Sequence, residues 1–210
     1  ALDYSDMYNV PLISFCKDSS LSDGGVVNEG SVSTKLGLKG IPNASESIMV
    51  FRNLTIAELT GKKIHIPVVS TAKSINIIKE FQKKGINVTS DVSPHHIFFN
   101  DSRLLDYDSN AKVYPPLRAE EDRVSLIKAI KDRVVTSISS DHMPCSSEDK
   151  ESDIIHAPFG TISLESAFSL SYTALAKEGC SITDVIKLFT KGPREALGLV
   201  QNSIKEGLDV

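Results

Sequence analysis

The sequence predicts an α/β fold organised around a parallel sheet, and three observations lead there. Short apolar runs rich in β-branched residues alternate with segments of helical period. Each run opens directly into a polar, glycine- or proline-punctuated loop: CKDSSLSDGGVVNEG, STAKS, SPHHIFFNDS and SDHMPCSSEDK. After the fourth run only helical patterns remain. In parallel α/β folds sites assemble at the carboxyl ends of the strands, so these four loops are where chemistry is expected.

Four strands are expected, at Val10–Phe15, Lys63–Val69, Ile86–Val92 and Val134–Ser139. Between the first two, a helix should span Ala44–Leu59, with Asn43 as its N-cap, Glu46 in the first turn, an apolar face through Ile48, Phe51 and Leu59, and Gly61 ending it. Between the second and third lies TAKSINIIKEFQKKG. There Ala72, Ile75, Ile78 and Phe81 recur at helical spacing, basic residues fill the last turn and Gly85 supplies the stop. Val124, Ile127 and Ile130 mark a further helix. Leu164–Lys177, Thr183–Phe189 and a short segment in which Pro193 suits the N1 position complete the chain. A complete (β/α)8 barrel needs about 250 residues, so four β/α units in 210 describe either an open sheet or half a barrel.

Composition narrows the function. A net charge of −4 offers no cationic field for nucleic acid or anionic lipid. No apolar stretch approaches the roughly 20 residues that cross a bilayer, and ALDYSDMYN lacks the pattern of a secretory leader. Cys16, Cys145 and Cys180 are scattered without CxxC spacing, which predicts three free thiols and a cytoplasmic location.

Among the polar residues, Asp141 stands at a predicted strand end, where a carboxylate is held rigidly enough to serve as metal ligand or general base; the alternative is a turn cap. His95 and His96, read as an extended segment, point to opposite sides and cannot chelate one ion together, which favours a structural role. His65 reads as a satisfied strand histidine. His156 precedes a loop whose Gly160 lets a ligand approach the backbone. Cys145 beside His142 suggests a thiol nucleophile, but nothing nearby depresses the thiol pKa. Arg118 pairs with a carboxylate or lies on the surface, and Gly24-Gly25 is a turn.

The order of motifs resembles the dihydroorotase family of the amidohydrolase superfamily. The matching pieces are PLISFCKDSSLSDGGVVNEG, GLKGIP, RNLTIAELTGKKIHIPVVSTAKS, VTSDVSPHHIFF, KVYPPLRAEEDR, SISSDHMPCSSEDK, APFGTISLES and LFTKGPREALGL, which together cover nearly the whole chain. The resemblance implies a single amidohydrolase-like domain over residues 1–210, the carboxyl-terminal half of a zinc-dependent TIM barrel. It also implies the family's reaction, reversible closure of N-carbamoyl-aspartate to dihydroorotate in pyrimidine synthesis, with zinc activating water and a strand-end aspartate moving the proton.

Carried over residue by residue, the resemblance also marks departures. Phe15 and Val68 stand where the family has metal-binding histidines, and Lys17 replaces a neighbouring glutamate. His65 is three residues from Val68, and strand alternation puts it on the opposite face. Tyr114 replaces a substrate-contacting asparagine, and Cys145 the histidine that closes the Asp141 motif. Asp141 remains at the family's ligand and base position, and Pro158 and Gly160 match its substrate-backbone contact. The first-strand HxH pair and the fourth-strand bridging residue would precede Ala1. Benzyl and isopropyl groups do not coordinate zinc. The expectation is therefore a noncatalytic homologue without a cofactor, assembled as a homo-oligomer or with a partner that completes the barrel, aspartate transcarbamoylase being the candidate the resemblance implies. The alternative is an active zinc-dependent hydrolase seen as an incomplete chain.

Overall fold

In the structure, a computed structural model, residues 1–8, 10–201 and 206 are described. Six strands run in chain order: β1 (Leu12–Ile13), β2 (Val27–Asn28), β3 (Gly40–Ile41), β4 (Ile64–Ile66), β5 (Val88–Val92) and β6 (Ser137–Ile138). β1, β4, β5 and β6 are the four expected strands, shortened at their ends, and they pair in that order, all parallel. β2 and β3 form a separate two-stranded parallel ribbon that the sequence did not suggest. Of the α-helices, α1 (Leu2–Met7), α2 (Ser19–Ser22), α3 (Ser31–Leu36), α4 (Ala44–Thr60), α5 (Ala72–Lys83) and α6 (Pro94–Phe98) lie in the first half. The second half carries α7 (Glu120–Lys131), α8 (Ser147–Lys150), α9 (Ala167–Lys177), α10 (Ile182–Phe189) and α11 (Lys191–Leu197). None of the described helices is long and apolar enough to cross a membrane.

α5 forms as the spacing predicts. The Thr71 hydroxyl accepts from the Ser74 N–H as N-cap, Gly85 follows in the left-handed region, and Ile75, Ile78 and Phe81 are buried. Each such side chain stabilises the fold by about 1.5–3 kcal/mol.

The face assigned to α4 is corrected. Ile48, Phe51 and Leu59 are exposed, and the buried stripe runs through Val50, Leu54 and Ala57. That stripe carries polar residues too, and the two largest find internal partners: Asn53 donates to Ser14 Oγ at 2.9 Å, and Glu46 accepts from Ser70 and Thr71. Asn43 does not cap the helix. It is already helical, and its amide donates to Asp122 Oδ2 at 3.0 Å. On α7, Val124 is exposed while Leu126, Ile127 and Ile130 are buried. Pro193 sits at the third position of α11, two residues later than expected, still within the first turn where its missing N–H leaves no gap. Its neighbour Gly192 is dictated by packing, since a Cβ there would overlap the Thr136 carbonyl at the entry to β6.

Candidate functional site

The strand tips surround a cavity of about 400 Å3. Its wall takes Ile13 from β1, His65 from β4, Val68 just beyond, Asp91 from β5 and Ser137 to Asp141 from β6 and its exit, while Pro193, Ala196 and Leu197 of α11 contribute from the other side.

The lining is hydrogen-bonded side chain to side chain. His65 Nδ1 lies 2.9 Å from Thr89 Oγ1 and Nε2 lies 2.8 Å from Asp91 Oδ2. Asp91 Oδ1 accepts from the Val68 N–H at 2.9 Å and from Ser139 Oγ at 2.6 Å. His65 is thus a satisfied strand histidine, but it does not face away from Val68, since both line this cavity. Strand alternation stops applying because β4 ends at Ile66, and Val68 is left-handed at φ 50°. Asp141 is left-handed as well, at φ 46°. That region costs a residue with a Cβ about 1–2 kcal/mol and is least hostile to Asn, Asp and His. The valine therefore occupies a backbone shape suited to a histidine, the residue the motif comparison places there.

His95 and His96 are on α6, not on an extended segment. Ser93 caps the helix and Pro94 occupies its first turn, which brings the two rings to 4.7 Å instead of opposing them. His96 is structural: Nδ1 meets Ser93 Oγ at 2.6 Å and Nε2 meets the Pro115 carbonyl at 2.9 Å. Burial, reinforced by His95, holds its pKa well below the ordinary range, so the ring is neutral. His95 Nε2 lies 3.2 Å from Asp141 Oδ2, but the approach is too oblique for a hydrogen bond, and neither ring nitrogen has a hydrogen-bond partner among the described residues.

Phe15 projects from the tip of β1, 45% exposed, and packs on Tyr114 with ring centroids 6.0 Å apart. Tyr114 meets Phe159 edge-on at 5.4 Å. Lys17 Nζ lies 4.3 Å above the Tyr114 ring, and Lys112 Nζ lies 4.7 Å above Phe159. Burial pushes the Tyr114 hydroxyl pKa up. Three residues that depart from the motif, Phe15, Lys17 and Tyr114, are thereby in contact. The sequence marks each one, but their contact joins segments about a hundred residues apart.

His142 Nδ1 accepts from the Ser163 and Leu164 N–H groups, both at 3.2 Å, so the ring pins that loop. Cys145 Sγ lies 3.7 Å from the Phe159 carbonyl, and no hydrogen bond joins it to His142 among the described residues. Gly160 sits at φ 135°, where a Cβ would overlap the Met143 carbonyl. Its N–H donates to the Lys112 carbonyl at 2.9 Å, and the Pro158 carbonyl accepts from Lys150 Nζ at 2.9 Å. His156 is exposed and pairs with Asp153 at 2.7 Å. All three cysteines are free thiols.

Arg118 is buried. Its guanidinium donates to Ser70 Oγ at 3.0 Å, Asn28 Oδ1 at 3.0 Å and the Ile41 carbonyl at 2.9 Å. Ser70 in turn donates to Glu46, so this network ties the β2–β3 ribbon, α4 and the β4 exit together. Sequence reading missed it, because Glu46 lies 24 positions from Ser70 and 25 from Thr71.

These side chains do not make a zinc centre. Phe15 and Val68 have no lone pairs, His65 is engaged on both nitrogens, and no group of three or more His, Cys, Asp or Glu among the described residues is placed to hold a metal.

Residues 2–74 match a family model described as dihydro-orotase-like. Over 99% of its length the chain is 42% identical to a dihydroorotase of Caldicellulosiruptor saccharolyticus, covering 48% of that protein. A dihydroorotase of Pelotomaculum thermopropionicum is 41% identical over 100% of this chain and 49% of its own. One of Anaplasma phagocytophilum is 39% identical over 99% and 47%. The chain spans about half the length of the curated relatives it matches. Among solved structures, a D-hydantoinase superposes with a TM-score of 0.78 at 19% identity, over 92% of this chain and 44% of that one. A dihydropyrimidinase from Brevibacillus agri gives 0.73 at 19%, over 87% and 42%. At such identity the likeness shows the fold, that of the TIM-barrel amidohydrolases, of which four parallel β/α units are present here. With identity near 40% along its whole length to proteins of that name, the chain belongs to the dihydroorotase-like family.

Proposed function

We propose that this chain is the carboxyl-terminal half of a dihydroorotase-like barrel that acts in pyrimidine biosynthesis as a noncatalytic, structural subunit. The observation that carries the reading is the contact of Phe15 with Tyr114 and of Tyr114 with Phe159. Aromatic rings cluster beyond the tip of β1 where a metal and its substrate would need nitrogen and oxygen donors, and Lys17 adds a positive charge beside them. In this reading Asp141 is a remnant, and the Pro158 and Gly160 backbone groups serve the loop itself.

Assembly follows from the sheet. Among the described residues β1 pairs only with β4 and β6 only with β5, which leaves two open edges, with Val10, Ile13 and Phe15 exposed along the first. Open parallel edges with apolar flanks are liabilities in water. The functional protein therefore completes the barrel, with further chain, a second copy or a protein partner, for which aspartate transcarbamoylase is the candidate.

A competing reading, an active zinc-dependent cyclic amidohydrolase whose other ligands lie in the other half of the barrel, draws on the intact Asp141 and on relatives twice as long. One experiment decides. The complete protein is purified without chelator, its metal measured by atomic spectroscopy and its ring opening of dihydroorotate assayed. Substoichiometric zinc without turnover is expected. Stoichiometric zinc, with turnover abolished by Asp141→Asn, refutes the noncatalytic reading.

A further inference from the structure

A second cavity lies at the opposite end of β6. Val135 and Thr136, which precede the strand, help to line a space of about 550 Å3 between the end of α7, the turn before α10, α10 itself and α11. Asp141 lies beyond the far end of the strand and lines only the first cavity, while α11 gives residues to the walls of both. Cavities of this volume take small organic ligands.

The inner wall is apolar, with Ile130, Val135 and Val185 buried and Leu188 partly so. The rim is cationic: Lys131, Arg133, Lys187 and Lys191 face Asp184 and Glu195. That is a local surplus of two positive charges on a chain of net charge −4. Lys187 is engaged by Asp184 at 3.2 Å and Lys131 donates to the Glu178 carbonyl at 2.8 Å. The side chains of Arg133 and Lys191 have no such partner among the described residues.

Lys191 resists a purely structural account. Lys131 and Lys187 belong to the last turns of α7 and α10, where cations complement the helix dipole. Lys191 opens α11, the end at which a cation is unfavourable. Arg133, just past the end of α7 in a left-handed backbone at φ 59°, suits the helix dipole, yet its guanidinium is left without an acceptor among the described residues.

We propose that this cavity binds a small organic anion carrying a flat apolar group and a phosphate, of which a nucleoside monophosphate is the simplest form. The apolar group lies against the part-exposed Leu188 and Cys180, and Arg133 and Lys191 hold the phosphate. Arginine presents a planar fork matched to phosphate oxygens, and lysine adds a point charge. The site is independent of Asp141, so it stands whether or not the strand tips are catalytic.

The test uses adenosine and uridine 5′-monophosphates, with the parent nucleosides and inorganic phosphate as half-ligands. Backbone amide shifts follow binding, and alkylation of the half-buried Cys180 in the cavity wall gives a second readout, with Cys145 as the internal control. Expected are saturable binding of at least one nucleotide, weaker binding of nucleoside or phosphate alone, and slower alkylation of Cys180 but not of Cys145. Arg133→Glu or Lys191→Glu should each weaken binding about tenfold, the size of one lost charge-assisted contact, while Arg133→Lys retains most of it. Failure of both nucleotides to bind, binding that survives both charge reversals, or alkylation of Cys180 that no nucleotide slows overturns the proposal. The Cys180 readout holds even where a charge-reversed variant fails to fold.

Discussion

Replacing Tyr114 by leucine tests whether the aromatic contacts at the strand tips act as one unit. The substitution keeps an apolar side chain of similar reach but removes the edge-on contact with Phe159 at 5.4 Å, the tilted contact with Phe15 at 6.0 Å and the Lys17 ammonium at 4.3 Å. Aromatic pairs at 4.5–7 Å contribute about 0.5–1.5 kcal/mol each beyond their area, and an exposed cation over a ring about 0.5–1 kcal/mol. Both pairs lie within that range of distance, so Tyr114→Leu should destabilise the protein by about 2 kcal/mol. The sharper measurement is a double-mutant cycle with Phe15→Leu. If the rings stabilise one another, the two losses fail to add by about 0.5–1.5 kcal/mol. Urea unfolding of the parent, both singles and the double supplies the four free energies. Additivity within about 0.3 kcal/mol would mean that Phe15 and Tyr114 are merely neighbours. Phe15 and Tyr114 would then contribute to stability independently, not as one unit.

Three further outcomes follow from buried or paired charge. Glu46→Ala leaves the Ser70 and Thr71 N–H groups without an acceptor and the buried Arg118 without its main counter-charge, so a loss of about 3–5 kcal/mol is expected in denaturant unfolding. A loss below about 1 kcal/mol would show that water already reaches this network. Burial, with Glu46 nearby, pushes the Cys16 thiol up to about 12. Iodoacetamide at pH 8 should therefore spare Cys16 in the folded protein and label it after unfolding, as read by mass spectrometry; fast labelling of the native protein contradicts its placement. Hydrogen bonds from Arg123 and Asn100 hold the Glu120 carboxyl at about 2. Its folded value is depressed, so the stability it contributes is present above the ordinary carboxylate value near 4.5 and disappears as pH falls from there toward 2. The side chain is half exposed, which limits that contribution to under about 1 kcal/mol. A carboxyl chemical-shift titration with a midpoint near 4 would refute the pairing.

What the sequence reveals depends on how local the deciding contacts are. α5 is legible because its cap, apolar stripe and glycine stop all fall within fifteen residues. α4 is legible as a helix but not as a face. Its buried side carries Ser45, Glu46, Ser47 and Asn53, and a pattern reader assigns polar residues to solvent unless their distant partners are known. α6 carries a recognisable Ser-Pro start, yet five residues are too few to show a period, so the histidine pair reads from sequence as an extended loop segment. The exit from β4 fails differently. Pro67 and a left-handed Val68 end the alternation, so a rule valid up to Ile66 misplaces His65 relative to Val68.

The same geometry explains how an amidohydrolase-like half barrel keeps its strand tips in order without metal ligands at Phe15 and Val68. Asp91 joins β4, β5 and β6 by accepting from Val68, Ser139 and the His65 ring at 2.6–2.9 Å. The Glu46, Ser70 and Arg118 network anchors the ribbon and α4 to the β4 exit. Neither set uses Phe15, and Val68 enters only through its backbone N–H, so side-chain replacement at those two positions leaves the supports untouched. Asp141 and His95 are the exception, a carboxylate and an imidazole 3.2 Å apart with no hydrogen bond between them. If the noncatalytic reading is right, Asp141→Asn should leave assembly and stability nearly unchanged, because the fold does not depend on that carboxylate. A variant that falls apart would show that Asp141 has been retained for architecture, and its persistence would then carry no memory of catalysis.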